Sequence, residues 1–277
     1  MTNLSAPTGA APIAAECTTA TTDVGPAALV LASGKGGVGK SVLTVVLGSL
    51  LAQLGRRVLL LDGSQNLGNL HVLLGCTTSG RLNEVHCGEL EPEQVIQSVA
   101  PNLWLLPSDS GTDSLYSLTP IDRARLHLRL SSLYHRFDIV LIDSGPSIED
   151  VVRLCTIRAS GLVVVTVAEP TALADAYALI KIVNSRVPGL SIGVLTNQAH
   201  SIAEGRGAFD RLATASDRFL DLQLDYLGTV PSDPSIQTAV KHPSRLRQWE
   251  TVGPAAEALR RVVTTKRGLF GGPTART

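Results

Sequence analysis

Short unbroken runs of Val, Leu and Ile recur along this chain, each followed by a segment of helical character, and no other feature restricts the fold as strongly. AALVLAS (27–33) leads into KSVLTVVLGSLLAQLG, and RVLLLD (57–62), NLWLLPS (102–108), DIVLID (138–143), GLVVVTV (161–167), SIGVLT (191–196) and LDYLGTV (224–230) follow. A strand with one face in water alternates apolar and polar residues, so runs without alternation predict strands covered on both faces. Strands that alternate with helices predict βαβ units with right-handed crossovers. The expected fold is therefore α/β, a doubly wound, mainly parallel sheet in three αβα layers. With 277 residues, 44% of them apolar, the chain is long enough for one such domain. No internal repeat or change of composition marks a second. Residues 1–25, rich in Ala, Thr and Pro, read as a flexible leader. Residues 26–265 form the domain, and 266–277 a C-terminal tail.

Charge and cysteine usage exclude several functions. Basic and acidic residues balance at 24 each, so no global field draws nucleic acid to the chain, and no direct nucleic-acid partner is expected. The four cysteines, Cys17, Cys76, Cys87 and Cys155, form no CxxC pair, and the six histidines have no HxxxH or HExxH spacing. That argues against a zinc site, a disulfide framework or an iron–sulfur cluster. The N-terminus lacks the basic and continuous apolar regions of a secretory signal, and no run of about 20 apolar residues predicts a membrane span. A cytoplasmic protein is expected.

The chemistry begins in ASGKGGVGKS (32–41), between the first strand and the first helix. Gly34, Gly39, Lys40 and Ser41 match G-x-x-x-x-G-K-[ST] in the strand–loop–helix setting that motif requires. Gly34, Gly36, Gly37 and Gly39 let the backbone turn sharply, so that N–H groups of the loop, Val38 included, point inward at phosphate oxygens. The helix start adds its positive end. Lys40 is expected to neutralise the β- and γ-phosphates, and the Ser41 hydroxyl to ligate Mg²⁺. In DIVLIDSGPS, Asp143 ends a strand where parallel sheets bind ligands, which suits the magnesium water shell, and the Gly145 N–H suits the γ-phosphate. An Asp there also suits the N-cap of a helix from Ser147. Lys35 cannot easily reach its own phosphates beside Lys40. It is either a solvated surface lysine or one that acts on the nucleotide of a facing subunit.

The string KGGVGK resembles the deviant Walker A loop of the MinD/ParA family of P-loop ATPases. That resemblance implies a SIMIBI-type P-loop fold, ATP and Mg²⁺ as ligands, and homodimers that close on ATP with Lys35 acting across the interface. VAEPTALADAYALIKIV (167–183), residues 203–240 and NLHVLLG (69–75) are similar to the flagellar regulator branch, FlhG (FleN, YlxH). The branch implies control of flagellar placement or number. Its partners would be an FlhF-like GTPase, a transcription regulator or a switch-complex protein. The leader carries no DQAxxLR-like activator helix, so stimulation of the GTPase is not implied. In the same family Asn197 and the loop Pro231, Ser232 and Asp233 correspond to adenine-facing segments. An Asn amide can read a base edge, though Asn is also a common turn residue. A Min-type division or ParA-type partition ATPase shares the phosphate site and differs in partner.

LDGSQNLGNLHVLLG (61–75) departs from the family. Related chains read DADLGLANVDVLLG here. Asp62 is kept, Ser64 stands for the second Asp and His71 for a later one. By resemblance, that second Asp helps position the attacking water, and a serine cannot act as a carboxylate base. Gln65 could orient water, as a glutamine does in small GTPases. With Lys35, Lys40, Asp62 and Asp143 kept, the expectation is a nucleotide switch with weakened hydrolysis, or a pseudo-ATPase adaptor.

In AAEALRRVVTTKRGLFGG (255–272), Ala255, Leu259, Val262 and Val263 share one helical face beside Arg260, Arg261, Lys266 and Arg267. The ending KRGLFGG is similar to the membrane-targeting segment of MinD-like proteins, which implies peripheral attachment at the inner face of the cell membrane. The other reading is a last helix packed on the domain.

Overall fold

A computed structural model of the chain describes residues 27–63, 69–78, 80, 82–107, 119–242, 246, 253–266 and 269–270. The leader, Ser64, Gln65 and most of the tail lie outside the described residues. The strands are β1 (Ala27–Ala32), β2 (Val58–Gly63), β3 (Gln97–Ala100), β4 (Leu103–Leu106), β5 (Ile139–Ser144), β6 (Gly161–Thr166), β7 (Ile192–Ala199) and β8 (Asp225–Pro231). They form one eight-stranded sheet in the order β3-β4-β2-β5-β1-β6-β7-β8. Every neighbouring pair is parallel except β3 with β4.

The unbroken apolar runs are explained by helices on both faces. Along β1, Leu29 and Leu31 enter one core while Val30 and Ala32 enter the other, and all four are fully buried. One layer holds α1 (Lys40–Gln53), α2 (Leu70–Leu74), α9 (Pro234–Val240) and α10 (Pro254–Thr265). The opposite layer holds α3 (Leu82–Cys87), α4 (Pro92–Val95), α5 (Pro120–Tyr134), α6 (Ile148–Arg158), α7 (Pro170–Arg186) and α8 (Ile202–Leu220). Helix α1 is buried on nearly every side, from Leu43 through Ala52, because it lies between the sheet and α10.

Local chemistry sets the helix starts. The Thr119 hydroxyl accepts from the Asp122 N–H at α5, and the Ser201 hydroxyl accepts from the Glu204 N–H at α8, each satisfying an N–H that the helix leaves unbonded. Pro170, Pro234 and Pro254 occupy first-turn positions, where a missing N–H costs nothing.

The sequence did not predict β3. QSVA is short and half polar, and only Val99 of it is buried, so it carries none of the hydrophobic continuity that marks the inner strands. The end of the chain packs inward. Ala255, Ala256, Leu259, Val262 and Val263 are buried beneath the sheet. Phe270 is 2% exposed, and Leu269 packs against the same core. The apolar face considered for membrane contact is thus covered by the domain itself. No helix among the described residues is long and apolar enough to cross a membrane.

Candidate functional site

The loop from Gly34 to Gly39 leaves β1 at its C-terminal end and enters α1. Two of its glycines are set by close approach. A Cβ on Gly34 would stand 2.3 Å from the Asp175 backbone of α7, and one on Gly39 would stand 2.5 Å from Asn197 Nδ2. Gly39 also has φ of 88°, a left-handed conformation that side chains disfavour. At the outer rim Gly36 and Gly37 are exposed, with open space above them. Their backbone thus faces solvent, where a phosphate chain can approach.

Beneath the loop lies a buried ion pair. Lys40 Nζ sits 2.6 Å from Asp143 Oδ1 and also donates to the Ser144 carbonyl. The pair is shielded, with side-chain exposures of 11% and 2%. Asp143 ends β5, and the adjacent β2 sets Asp62 directly beside it in register. Asp62 is equally buried, and its Oδ2 accepts from the Leu70 N–H at 3.1 Å, tying the end of β2 to the start of α2. Ser41 follows Lys40 in the first turn of α1, and Gly145 follows β5 directly. Asp143 does not cap α6, since Ser147 holds that N-cap position and the Asp143 carboxylate faces Lys40.

The neighbouring strands close one side of the site. Asn197, 5% exposed near the end of β7, donates from Nδ2 to the Val38 carbonyl at 2.8 Å. Its Oδ1 is buried without a hydrogen-bond partner among the described residues, and an acceptor so placed suits a donor brought by a ligand. Pro231 pairs with Ala199, and the Ser232 N–H bonds to the Ala199 carbonyl at 2.8 Å, so the two loops lie side by side. Asp233 takes a structural role. Its carboxylate accepts from the Ser235 N–H at 2.9 Å and the Ala255 N–H at 3.3 Å, capping α9 and anchoring α10. Burial alone would raise its pKa, but these bonds outweigh that and lower it.

Lys35 turns away from its own loop. Its Nζ lies 2.6 Å from Glu169 Oε2 and 3.4 Å from Thr171 Oγ1 at the start of α7. Glu169, on Lys35, and Thr44, whose Oγ1 lies 3.3 Å from Asp143 Oδ1, belong to this arrangement and were passed over in the sequence. Thr44 follows Lys40 by one helical turn, a spacing that could have found it.

Residues 27–187 match a family model described as "AAA domain". The chain is also 39% identical over 213 residues to the antiactivator FleN of Pseudomonas aeruginosa, covering 77% of this chain and 76% of that protein. The chain belongs to the MinD/ParA family of P-loop ATPases. Within the MinD/ParA family it is also similar to the flagellum site-determining protein YlxH of Helicobacter pylori, 28% identical over 221 residues, with 79% of this chain and 74% of that one covered. Its fold matches the structure of the septum site-determining protein MinD of Pyrococcus horikoshii complexed with Mg-ADP. There the TM-score is 0.73 at 22% identity, over 89% of this chain and 98% of that one. The MinD/ParA assignment accounts for the strand order and for the Lys40 loop seated at the tips of β1 and β5.

Proposed function

We propose that this chain is an ATP-dependent dimerising switch that regulates flagellar number or placement. The observation that carries the nucleotide reading is the buried Lys40–Asp143 pair directly under an open glycine loop. A cation and a carboxylate are held there at the tips of two parallel strands, where such sheets bind ligands. The flagellar reading rests on the similarity to FleN and YlxH.

The residues fit MgATP. Gly34, Lys35, Gly36, Gly37, Val38 and Gly39 supply the loop backbone, and Lys40 the charge for the β- and γ-phosphates. Asn197 offers a buried acceptor to a base amino group. The backbone of Pro231 and Ser232 lines the neighbouring loop, with Asp233 holding it in place. Magnesium would be held by the Ser41 hydroxyl and, through water, by Asp143; once bound it neutralises charge that develops on the phosphate oxygens. Asp62 ties the end of β2 to the start of α2 through the Leu70 N–H. Gly145 is positioned by β5 to offer its N–H to the terminal phosphate. Lys35 would leave Glu169 and reach the nucleotide of a second copy. ATP biases the protein toward the dimer by contacting that state better.

Ser64 favours a second reading, a pseudo-ATPase adaptor, because it stands where the family resemblance implies a carboxylate, and loss of such a group commonly costs about 10²–10⁴ in rate. Peripheral membrane attachment requires Leu269 and Phe270 to leave the core. Vesicle flotation should then depend on MgATP and vanish in a chain ending at Thr265.

The test is MgATP turnover beside binding of a fluorescent ATP analogue, for wild type, Ser64→Asp and Lys40→Ala. Tight binding with turnover gained only in Ser64→Asp makes the chain a slow switch or adaptor. Brisk wild-type turnover lost in Lys40→Ala makes it an ordinary ATPase. Absence of nucleotide binding by the wild type overturns both.

A further inference from the structure

Thr44 lies one turn into α1, fully buried. A β-branched apolar residue would fill this position as well, and an unbonded hydroxyl here would cost free energy. The hydroxyl has two acceptors within reach, the Lys40 carbonyl at 3.1 Å and Asp143 Oδ1 at 3.3 Å. A bond back to the preceding turn is common for helical Thr and Ser, and Ser49 makes one to the Val45 carbonyl at 2.9 Å. Thr44 differs because its second acceptor is a carboxylate, which draws a hydroxyl proton more strongly than a neutral carbonyl does.

The geometry at Asp143 gives this contact a consequence. Lys40 Nζ and Thr44 Oγ1 both reach the same oxygen, Oδ1, while Oδ2 accepts no hydrogen bond among the described residues. Two donors on one oxygen restrain the rotation of the carboxylate and leave the other oxygen uncommitted among the described residues. Lys40 is also the residue that must serve phosphate. Thr44, enclosed in the core, has no competing ligand.

We infer that Thr44 is a positioning residue that holds the Asp143 carboxylate in register for the magnesium shell. The inference rests on the magnesium role proposed for Asp143. It makes Thr44 act on the metal-dependent part of nucleotide binding and leave the remainder alone.

The experiment titrates the full chain with a fluorescent ATP analogue in MgCl₂ and again in EDTA, for wild type, Thr44→Val, Thr44→Ser and Asp143→Asn. The expected result is that Thr44→Val reduces the magnesium-dependent gain in affinity by roughly tenfold or more, the loss of one bond to a charged group. Affinity in EDTA stays within about twofold, since no phosphate contact is removed, and Thr44→Ser, which keeps the hydroxyl, restores the gain. Should Thr44→Val not fold, Thr44→Ala, which adds no bulk, takes its place. The inference is overturned if Thr44→Val keeps the full gain while Asp143→Asn loses it, or if affinity falls equally with and without magnesium. If Asp143→Asn itself keeps the gain, the proposed magnesium role fails and the Thr44 inference fails with it.

Discussion

Lys35 and Glu169 meet across the gap between the phosphate loop and the start of α7, with Nζ 2.6 Å from Oε2. Both side chains are well exposed, at 39% and 62%, so the pair contributes only about 0.2–1 kcal/mol. A lysine held so lightly is available to another partner. Glu169→Gln should leave the melting temperature nearly unchanged and shift the MgATP dependence of dimerisation by no more than a few-fold. Lys35→Ala should retain nucleotide binding and lose the ATP-dependent dimer in sedimentation velocity. A full dimer in Lys35→Ala would remove the cross-subunit role.

The Lys40–Asp143 pair behaves differently because it is buried and lies beside Asp62. Removing the cation leaves two carboxylates together in the core, and breaking such a pair commonly costs about 3–5 kcal/mol. Lys40→Met should therefore lower stability in urea denaturation as well as nucleotide affinity. Adding Asp143→Asn should recover most of that stability without recovering binding. A double variant as unstable as the single one would show that Lys40 contributes through packing alone.

Asn197 joins β7 to the loop through Val38 and leaves Oδ1 without a partner among the described residues. Asn197→Ala removes the strut and strands the Val38 carbonyl, with an expected cost of about 1–3 kcal/mol. Preference for ATP over GTP should fall too, read by competition against the fluorescent analogue. Unchanged preference would separate the strut from base recognition.

Asp233 sets a pH dependence whose sign is fixed. Its pKa is lowered in the folded chain by the N–H groups of Ser235 and Ala255. Its contribution is thus fully present above the unfolded value, about 3.9, and is lost as pH falls through the lower folded value. Asp233→Asn should be less stable than wild type at neutral pH, with the difference closing in strong acid. A gap that persists at low pH would assign the effect to something other than ionisation.

Thiol chemistry should divide by burial. Burial pushes the Cys155 thiol up to about 12, so it is protonated at neutral pH and shielded from reagents. Cys87 is exposed. Ellman's reagent should label Cys87 in the native chain and reach Cys155 only on unfolding; native labelling of Cys155, located by peptide mass, would contradict this.

The inner strands and the phosphate loop were legible in the sequence because each depends on neighbouring residues: an unbroken apolar run, or glycines at fixed spacing before a lysine. Residues fixed by contacts between distant segments were not. Glu169 meets Lys35 from 134 positions away. Asp233, which resemblance assigned to the adenine side, spends its carboxylate on the backbone of α9 and α10, because the fold brings Ala255 beside it. The tail was ambiguous for a similar reason. An amphipathic face fits a membrane or a core equally well until the core is known to have room for Phe270.

The absence of a side chain at Gly34 has a mechanical meaning. The loop rests directly on the backbone of Asp175 and Ala176, with no compressible group between them. Close-packed interiors transmit such displacements instead of absorbing them. Helix α7 has 17 residues and so runs about 25 Å, from beside the glycine loop to Arg186. A side chain at position 34 would have to push the start of α7 away from the loop, so this one missing group sets how closely helix and loop can lie.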